Sequence, residues 1–231
     1  SVETIRRVIE ETGMDDAAPV TAEAFIQWII ENKFINDRPC LENVGVELVS
    51  DVIPYEEAKI RILNASHSCI AWAGTLAGKK YIHESIAEKT NFQLVNNFIT
   101  YDVIPNLTPH PLDLEFYRDI VVERFMNPYI LDTNQRVASD GFSKLTEFIL
   151  PTIRDSLNRG YVPRYSIKIV SLYYRFCKDW YAGLLPYEYK DSVLDNNDLK
   201  EIFTAPDPVI FLYQTKGFLA NLSRTACLFH L

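Results

Sequence analysis

Three polar residues interrupt an otherwise apolar stretch, KIRILNASHSCIAWAG, at positions 59 to 74. On an α-helix, which turns by about 100° per residue, Asn64 lies about 140° and His67 about 80° around the axis from Lys59, so all three share one side. A lysine in apolar surroundings can act as a base, an asparagine amide can donate to an alkoxide, and a histidine can hold a hydroxyl group. The spacing therefore indicates proton transfer on a small polar molecule. The alternative is ordinary helix packing, with Lys59 paired to a nearby glutamate.

A second charged pattern follows further along the chain. Asp132, Arg136, Asp140 and Lys144 succeed one another at i, i+4 spacing, which is typical of a solvated ion-pair face on a helix. Gly141 lies within the same predicted helix, where glycine costs about 1 kcal/mol relative to alanine. It therefore indicates the close approach of another backbone or of a ligand.

The apolar residues recur at helical spacing far more often than they alternate, which predicts one all-α domain over residues 1–231. The residues VGVELVSDVI, at 44–53, are the strand candidate, so we expect at most one or two short strands. In the helix predicted over 22–31, Phe25, Trp28 and Ile29 should face inward. The predicted helices cover residues 22–31, 55–78, 81–89, 92–103, 114–126, 132–150 (ending at Pro151), 165–181 and 209–228.

Composition excludes several classes of function. The net charge of −8 argues against nucleic acid as a partner, because nucleic-acid binding requires clustered Lys and Arg. No apolar run is long enough to span a membrane and no signal peptide opens the sequence, so we expect a cytoplasmic protein without a membrane partner. The four cysteines lie far apart without a CxxC pair, which gives no sign of a metal site. No glycine-rich nucleotide-phosphate loop is present.

The first stretch resembles the signature K-x-x-x-x-N-x-x-H of the polyol-specific long-chain dehydrogenases, the mannitol dehydrogenase family. Further similar segments follow in order along residues 19 to 160: TAEAFIQWIIENKF, VGVELVSDVIPYEEAK, RFMNPYILDTNQRVASDGFSK and ILPTI. Within the family, NASHSCIAWAGTLAGKKYIHE and NPYILDTNQRVASDGFSK are most similar to D-arabinitol dehydrogenases.

The resemblance implies metal-independent hydride transfer between NAD and a secondary alcohol of an open-chain sugar alcohol, with D-arabinitol to D-xylulose as the first expectation and mannitol as the next. By matching position, Lys59 would be the general base, Asn64 would stabilise the alkoxide-like oxygen and His67 would orient the reacting hydroxyl. Arg136 and Lys144 would contact the substrate. Family members also carry an N-terminal Rossmann domain that binds NAD and borders the active site. This sequence lacks that domain, so we expect residues 1–231 to be the helical C-terminal substrate domain, inactive by itself.

Three alternatives remain at this stage. A uronate reductase of the same family would share the Lys-Asn-His signature and would pair a substrate carboxylate with Arg136 and Lys144. A noncatalytic helical interaction module would use an exposed apolar patch and would not depend on Lys59. A metal hydrolase is the weakest, because the candidate ligands do not have the H-x-x-x-H or H-E-x-x-H spacing of a zinc site: His67, His83, Glu84 and His110.

Overall fold

The computed structural model describes residues 2–20, 22–23 and 25–208, and the helix predicted over 209–228 lies outside them. Whereas the sequence predicts a single domain, the chain divides into two compact units, Ser1–Val52 and Ile53–Leu231. The mainly helical fold class is confirmed, since two short strands are the only ones among the described residues. None of the described helices combines the length and apolarity needed to cross a bilayer.

The first unit contains a helix, a 3-10 turn and two short parallel strands. Ile30 of β1 (Ile29–Glu31) stands opposite Leu48 of β2 (Glu47–Val49). The strand predicted within residues 44–53 is thus confirmed, but the helix predicted over 22–31 is wrong, and Trp28 is exposed rather than inward. The strands form instead of the helix because their pairing adds hydrogen bonds, such as the one that the Trp28 carbonyl accepts from the Glu47 N–H at 2.9 Å. An isolated ten-residue helix has only marginal stability. The elements are α1 (Val2–Thr12), β1 (Ile29–Glu31), the 3-10 turn (Leu41–Val44) and β2 (Glu47–Val49).

As far as Pro208, where the described residues end, the second unit is built from helices, and three of its long helices contain a π-helical turn. The predicted helix over 55–78 is confirmed as one continuous helix of three segments. In chain order the elements are α2 (Ile53–Ala58), π1 (Lys59–Asn64), α3 (Ala65–Leu76), α4 (Ile82–Ala87), α5 (Lys89–Asn97), π2 (Phe98–Val103), α6 (Ile104–Leu107), α7 (Leu114–Phe125), α8 (Asn134–Ala138), α9 (Gly141–Lys144), π3 (Leu145–Ile149), α10 (Leu150–Asn158), α11 (Arg164–Tyr181) and α12 (Asn196–Thr204).

Helix α3 forms the centre of this unit. Its residues are apolar or small on all sides, and Ala65 to Thr75 are buried except for His67. A helix that is apolar all round must be covered on all sides. Helices α4, α8 and α11 pack against it, and the Trp72 ring lies 4.7 Å from that of Tyr173 on α11. The polar residues of the signature therefore stand on a rigid element.

The helix predicted over 132–150 is broken. Asp140 adopts a left-handed conformation with φ of 53°, which separates α8 from α9. The segment after α11 fixes this break, because the Ser192 N–H donates to Asp140 Oδ1 at 2.9 Å and the Asp140 N–H donates to the Lys190 carbonyl at 3.1 Å. Pro151 does not end a helix but lies in the first turn of α10, where its missing N–H costs little.

Candidate functional site

The π1 turn changes the register of the polar signature. The Ala65 N–H bonds to the Ile60 carbonyl five residues earlier, as a π-helix requires. A turn closed by i, i+5 hydrogen bonds brings residues five apart closer to one line, so Lys59 and Asn64 are separated by less than the 140° around the axis that an α-helix gives. The two residues therefore lie closer to one line than the sequence predicts. The Lys59 side chain is exposed, which differs from the apolar setting predicted for it.

A small polar pocket of about 220 Å³ opens beside the signature. Of the five predicted site residues, Asn64, His67, Arg136 and Lys144 line it, and Lys59 does not. The remaining lining residues are Ser68, Val137 and Phe148. The volume is below the range of about 300–1,000 Å³ that is usual for drug-sized ligands. The pocket therefore suits a small molecule that carries several hydroxyl groups.

His67 is held between a ring and a carboxylate. Its ring centroid lies 5.0 Å from that of Phe125, with the planes tilted by 33°. On its other side, Nε2 lies 3.4 Å from Asp132 Oδ2. The imidazole is half-buried and partly enclosed, so its orientation is set by these two neighbours.

Asp132 also pairs with Arg136, whose Nε donates to Oδ1 at 2.6 Å while its terminal nitrogen contacts Oδ2. Burial alone would raise the pKa of Asp132, but the hydrogen bonds and charges of His67 and Arg136 outweigh it and hold that pKa far below its usual value. The predicted pairing of Asp132 with Arg136 is therefore confirmed. Its contact with His67 was missed, because an i, i+4 pattern predicts partners on one helix only. The predicted ladder ends here, since Asp140 lies at the break between α8 and α9 and its carboxylate accepts from the Ser192 N–H.

Lys144 reaches into the pocket from α9. Its Nζ donates to the Val137 carbonyl at 2.8 Å and so satisfies an end carbonyl of α8 across the break. Burial lowers the pKa of Lys144, and the charge of Arg136 lowers it further, while Asp140 is among the carboxylates that oppose the shift. The ammonium group is therefore a positioned donor for a ligand oxygen, on a side chain with little freedom to move.

Two glycines allow close packing of helices that carry pocket residues, Gly74 on α3 and Gly141 on α9. A Cβ on Gly141 would lie 2.6 Å from Tyr173 Cε2 and 2.7 Å from the Tyr189 hydroxyl, so aromatic side chains make the close approach that was predicted for a backbone or ligand. A Cβ on Gly74 would lie 1.9 Å from Ser85 Oγ and 2.6 Å from Asn134 Nδ2. Both glycines therefore set how closely their neighbours approach α3 and α9.

The four candidate metal ligands do not come together. No cluster of three or more His, Cys, Asp or Glu side chains suited to a metal occurs in residues 2–20, 22–23 and 25–208. His110 instead contacts the Pro54 carbonyl at 2.9 Å through Nε2, and Glu84 accepts from the Tyr81 N–H at 3.0 Å at the start of α4. These partners are those of capping and packing residues.

Comparison with known proteins agrees with this geometry. The family model of the mannitol dehydrogenase C-terminal domain matches residues 51–229. The chain belongs to this family. It is 50% identical over 220 residues to a D-arabinitol 4-dehydrogenase of Klebsiella pneumoniae, covering 95% of this chain and 48% of the relative. It is 55% identical over 203 residues to the D-arabinitol 4-dehydrogenase of Ralstonia nicotianae, covering 88% and 44%.

A solved structure of the family has the same fold. The mannitol 2-dehydrogenase of Pseudomonas fluorescens, in a ternary complex with NAD and D-mannitol, superposes with a TM-score of 0.79 at 33% identity, over 94% of this chain and 44% of that one. The predicted family membership is thus confirmed. The chain spans about half the length of the curated relatives it matches.

Proposed function

We propose that this chain is the substrate domain of a longer, NAD-dependent polyol dehydrogenase that oxidises D-arabinitol to D-xylulose. The observation that carries the proposal is the pocket itself, where an amide, an imidazole and two cations from four helical segments surround about 220 Å³. The identity of 50% and 55% to two D-arabinitol 4-dehydrogenases supports this substrate over mannitol.

NAD is assigned to a further domain that precedes these residues in the whole protein. The donors of the pocket suit the hydroxyl groups of a polyol, and the sequence offers no glycine-rich loop for a pyrophosphate. The described residues therefore do not fit a dinucleotide. When bound, NAD supplies the acceptor for the hydride. The residues of this chain bind and orient the alcohol and accept its proton.

Lys59 is the proposed general base that takes the proton of the reacting hydroxyl. A lysine must be uncharged to do so, and removal from water favours the uncharged form. Because the Lys59 side chain is exposed in this chain, the further domain that binds NAD has to cover Lys59 and remove it from water. The Asn64 amide then donates to the alkoxide-like oxygen, where a fixed donor is most effective.

The remaining pocket residues orient the substrate. His67 is fixed by Phe125 and Asp132 and contacts the reacting hydroxyl, while Arg136 and Lys144 donate to hydroxyls further along the carbon chain. Holding the alcohol in one geometry lowers the entropic part of the barrier.

The test uses the full-length gene product. NADH formation is measured with D-arabinitol, D-mannitol and L-arabinitol, and NADH consumption with sugar uronates. Lys59→Ala should lower kcat by roughly 10²–10⁴-fold, as expected for loss of a general base. The matched control is Lys89→Ala, because Lys89 is also an exposed lysine at the start of a helical segment, and it should leave kcat unchanged. Circular dichroism checks that both variants fold. Absence of polyol oxidation, or full activity of Lys59→Ala, would contradict the proposal.

A further inference from the structure

We infer that Asp132 makes the pocket selective for neutral sugar alcohols over sugar acids, by occupying Arg136 and fixing His67. This inference rests on the proposed function, since it concerns the same substrate pocket. Asp132 does not line the pocket and is therefore a positioning residue that acts through two residues that do.

The contacts of the carboxylate carry the first step. Asp132 Oδ1 accepts from Arg136 Nε at 2.6 Å and Oδ2 contacts the terminal nitrogen of the same guanidinium, so one edge of its planar fork is occupied. Oδ2 also lies 3.4 Å from His67 Nε2. A single carboxylate thus connects α3 with α8 at the edge of the pocket. With Nε2 directed at Asp132, Nδ1 is the ring nitrogen that remains for a substrate hydroxyl.

The Asp132 side chain is largely buried, whereas the side chain of its partner Arg136 is exposed. That of Asp132 is 14% exposed, against 68% for Arg136, so the carboxylate is the fixed member of the pair. The Asp132 carbonyl accepts from the Ile82 N–H at 3.0 Å, and the next residue, Thr133, forms an isolated antiparallel bridge with Tyr81. The orientation of Arg136 is therefore imposed by Asp132.

The buried side-chain amide of Asn134, two residues after Asp132, is also held in place by hydrogen bonds. Asn134 is fully buried, and its Nδ2 donates to the Lys79 carbonyl at 2.9 Å and to Ser85 Oγ at 2.8 Å. Gly74 leaves the space that this pair occupies against α3. The segment that carries Asp132 is thus hydrogen-bonded to the turn that follows α3 and to α4.

The charge balance gives the consequence for the ligand. A substrate carboxylate binds best when it meets both nitrogens of one guanidinium edge. In this pocket Asp132 already occupies such an edge, and its negative charge opposes a second carboxylate nearby. Asp132 also stays ionised at neutral pH, because His67 and Arg136 outweigh the effect of its burial and lower its pKa. Neutral hydroxyls need only single hydrogen bonds and meet no such repulsion.

The test compares two matched ligands in the full-length protein saturated with NADH. Calorimetry gives Kd for D-arabinitol and for D-arabinonate, in which one terminal carbon is a carboxylate. Asp132→Asn should lower Kd for D-arabinonate by about tenfold, the gain from one added charge-assisted contact, and should raise Kd for D-arabinitol. Adding Arg136→Gln to this variant should abolish the gain for D-arabinonate. Asp132→Ser removes the same charge with a smaller side chain and should act like Asp132→Asn.

Asp179→Asn is the matched control. Asp179 pairs with Arg175 on α11 at the same i, i+4 spacing with similar exposure, 17% for the aspartate and 64% for the arginine, but it lies outside the pocket. Both Kd values should stay within about twofold of the wild type. An unchanged ratio of the two Kd values in both Asp132 variants, or a gain that persists without Arg136, overturns the inference. If the wild type oxidises D-arabinitol but the Asp132 variants leave the ratio of the two Kd values unchanged, this inference is wrong and the proposed function still stands. A wild type that binds and oxidises no polyol removes the proposed function as well.

Discussion

Substitution of Gly74 tests how tightly α3, which carries His67, packs against α4 and α8. In Gly74→Ala the new Cβ would lie 1.9 Å from Ser85 Oγ, 2.5 Å from Ser85 Cβ and 2.6 Å from Asn134 Nδ2. The hydroxyl could rotate, but Ser85 Cβ is fixed to α4 and the Asn134 amide is held by two hydrogen bonds. Helix α3 must therefore move away from α4 and α8.

The expected loss of stability follows from three contributions. Alanine in place of glycine favours a helix interior by about 1 kcal/mol. Overpacking costs about 1–3 kcal/mol, and loss of the buried Ser85–Asn134 hydrogen bonds costs about 1–3 kcal/mol more. The net destabilisation should be about 3 kcal/mol, which lowers Tm by about 6–12 °C in a protein unit of this size.

Thermal unfolding of the full-length protein, followed by circular dichroism, measures this loss. In the double variant Gly74→Ala, Ser85→Gly the Cβ and Oγ of residue 85 are absent, so the two substitutions together should destabilise by about 1–2 kcal/mol less than the sum of the single variants. Because Asn134 anchors the segment that carries Asp132, Gly74→Ala should also raise KM for the polyol. If Gly74→Ala alone is as stable as the wild type, the packing argument is refuted.

Three further outcomes follow from individual contacts. Asn64→Ala should lower kcat by roughly 10²–10³-fold, the loss expected for the proposed oxyanion donor, with little change in Tm, measured by steady-state kinetics beside unfolding. Asp102→Ala should lower stability by about 0.5–2 kcal/mol, measured by urea unfolding, since the Asp102 carboxylate accepts from the Tyr165 and Ser166 N–H groups at the start of α11. The folded state lowers the pKa of Asp132, so its carboxylate stabilises the protein above the unfolded value of about 3.9. The difference in Tm between wild type and Asp132→Asn should therefore be present at neutral pH and shrink as the pH falls below about 4.

The helices that could be predicted from the sequence are those with local boundaries. Helix α7 begins after Asp113, whose side chain accepts from the Phe116 N–H at 3.0 Å, and α11 begins after Pro163. The residues 22–31 could not be predicted, because β1 forms through pairing with β2 some eighteen residues later. The break at Asp140 likewise depends on Ser192, about fifty residues further along the chain. Local periodicity carries no information about such partners.

The site shows the same division between local and distant contributions. Lys59, Asn64 and His67 could be proposed from the sequence because they lie on one helix, whereas the proposed role of Asp132 depends on a contact between two segments 65 residues apart. Arg136 and Lys144 came from the resemblance, since their spacing alone indicates an exposed ion-pair face.

The π-helical turns explain why helical spacing predicted the site only approximately. Two of them, π1 and π3, end beside the pocket, where Asn64 is the last residue of π1 and Phe148 lies within π3. Each π-helical turn contains more residues than an α-helical turn. It therefore rotates the side chains after it about the helix axis relative to the side chains before it. In an uninterrupted α-helix, Lys59 would lie about 140° around the axis from Asn64, on one broad side of the helix but far from one line. The π1 turn reduces this angle, so the proposed base and the Asn64 amide lie nearer to one line along the helix.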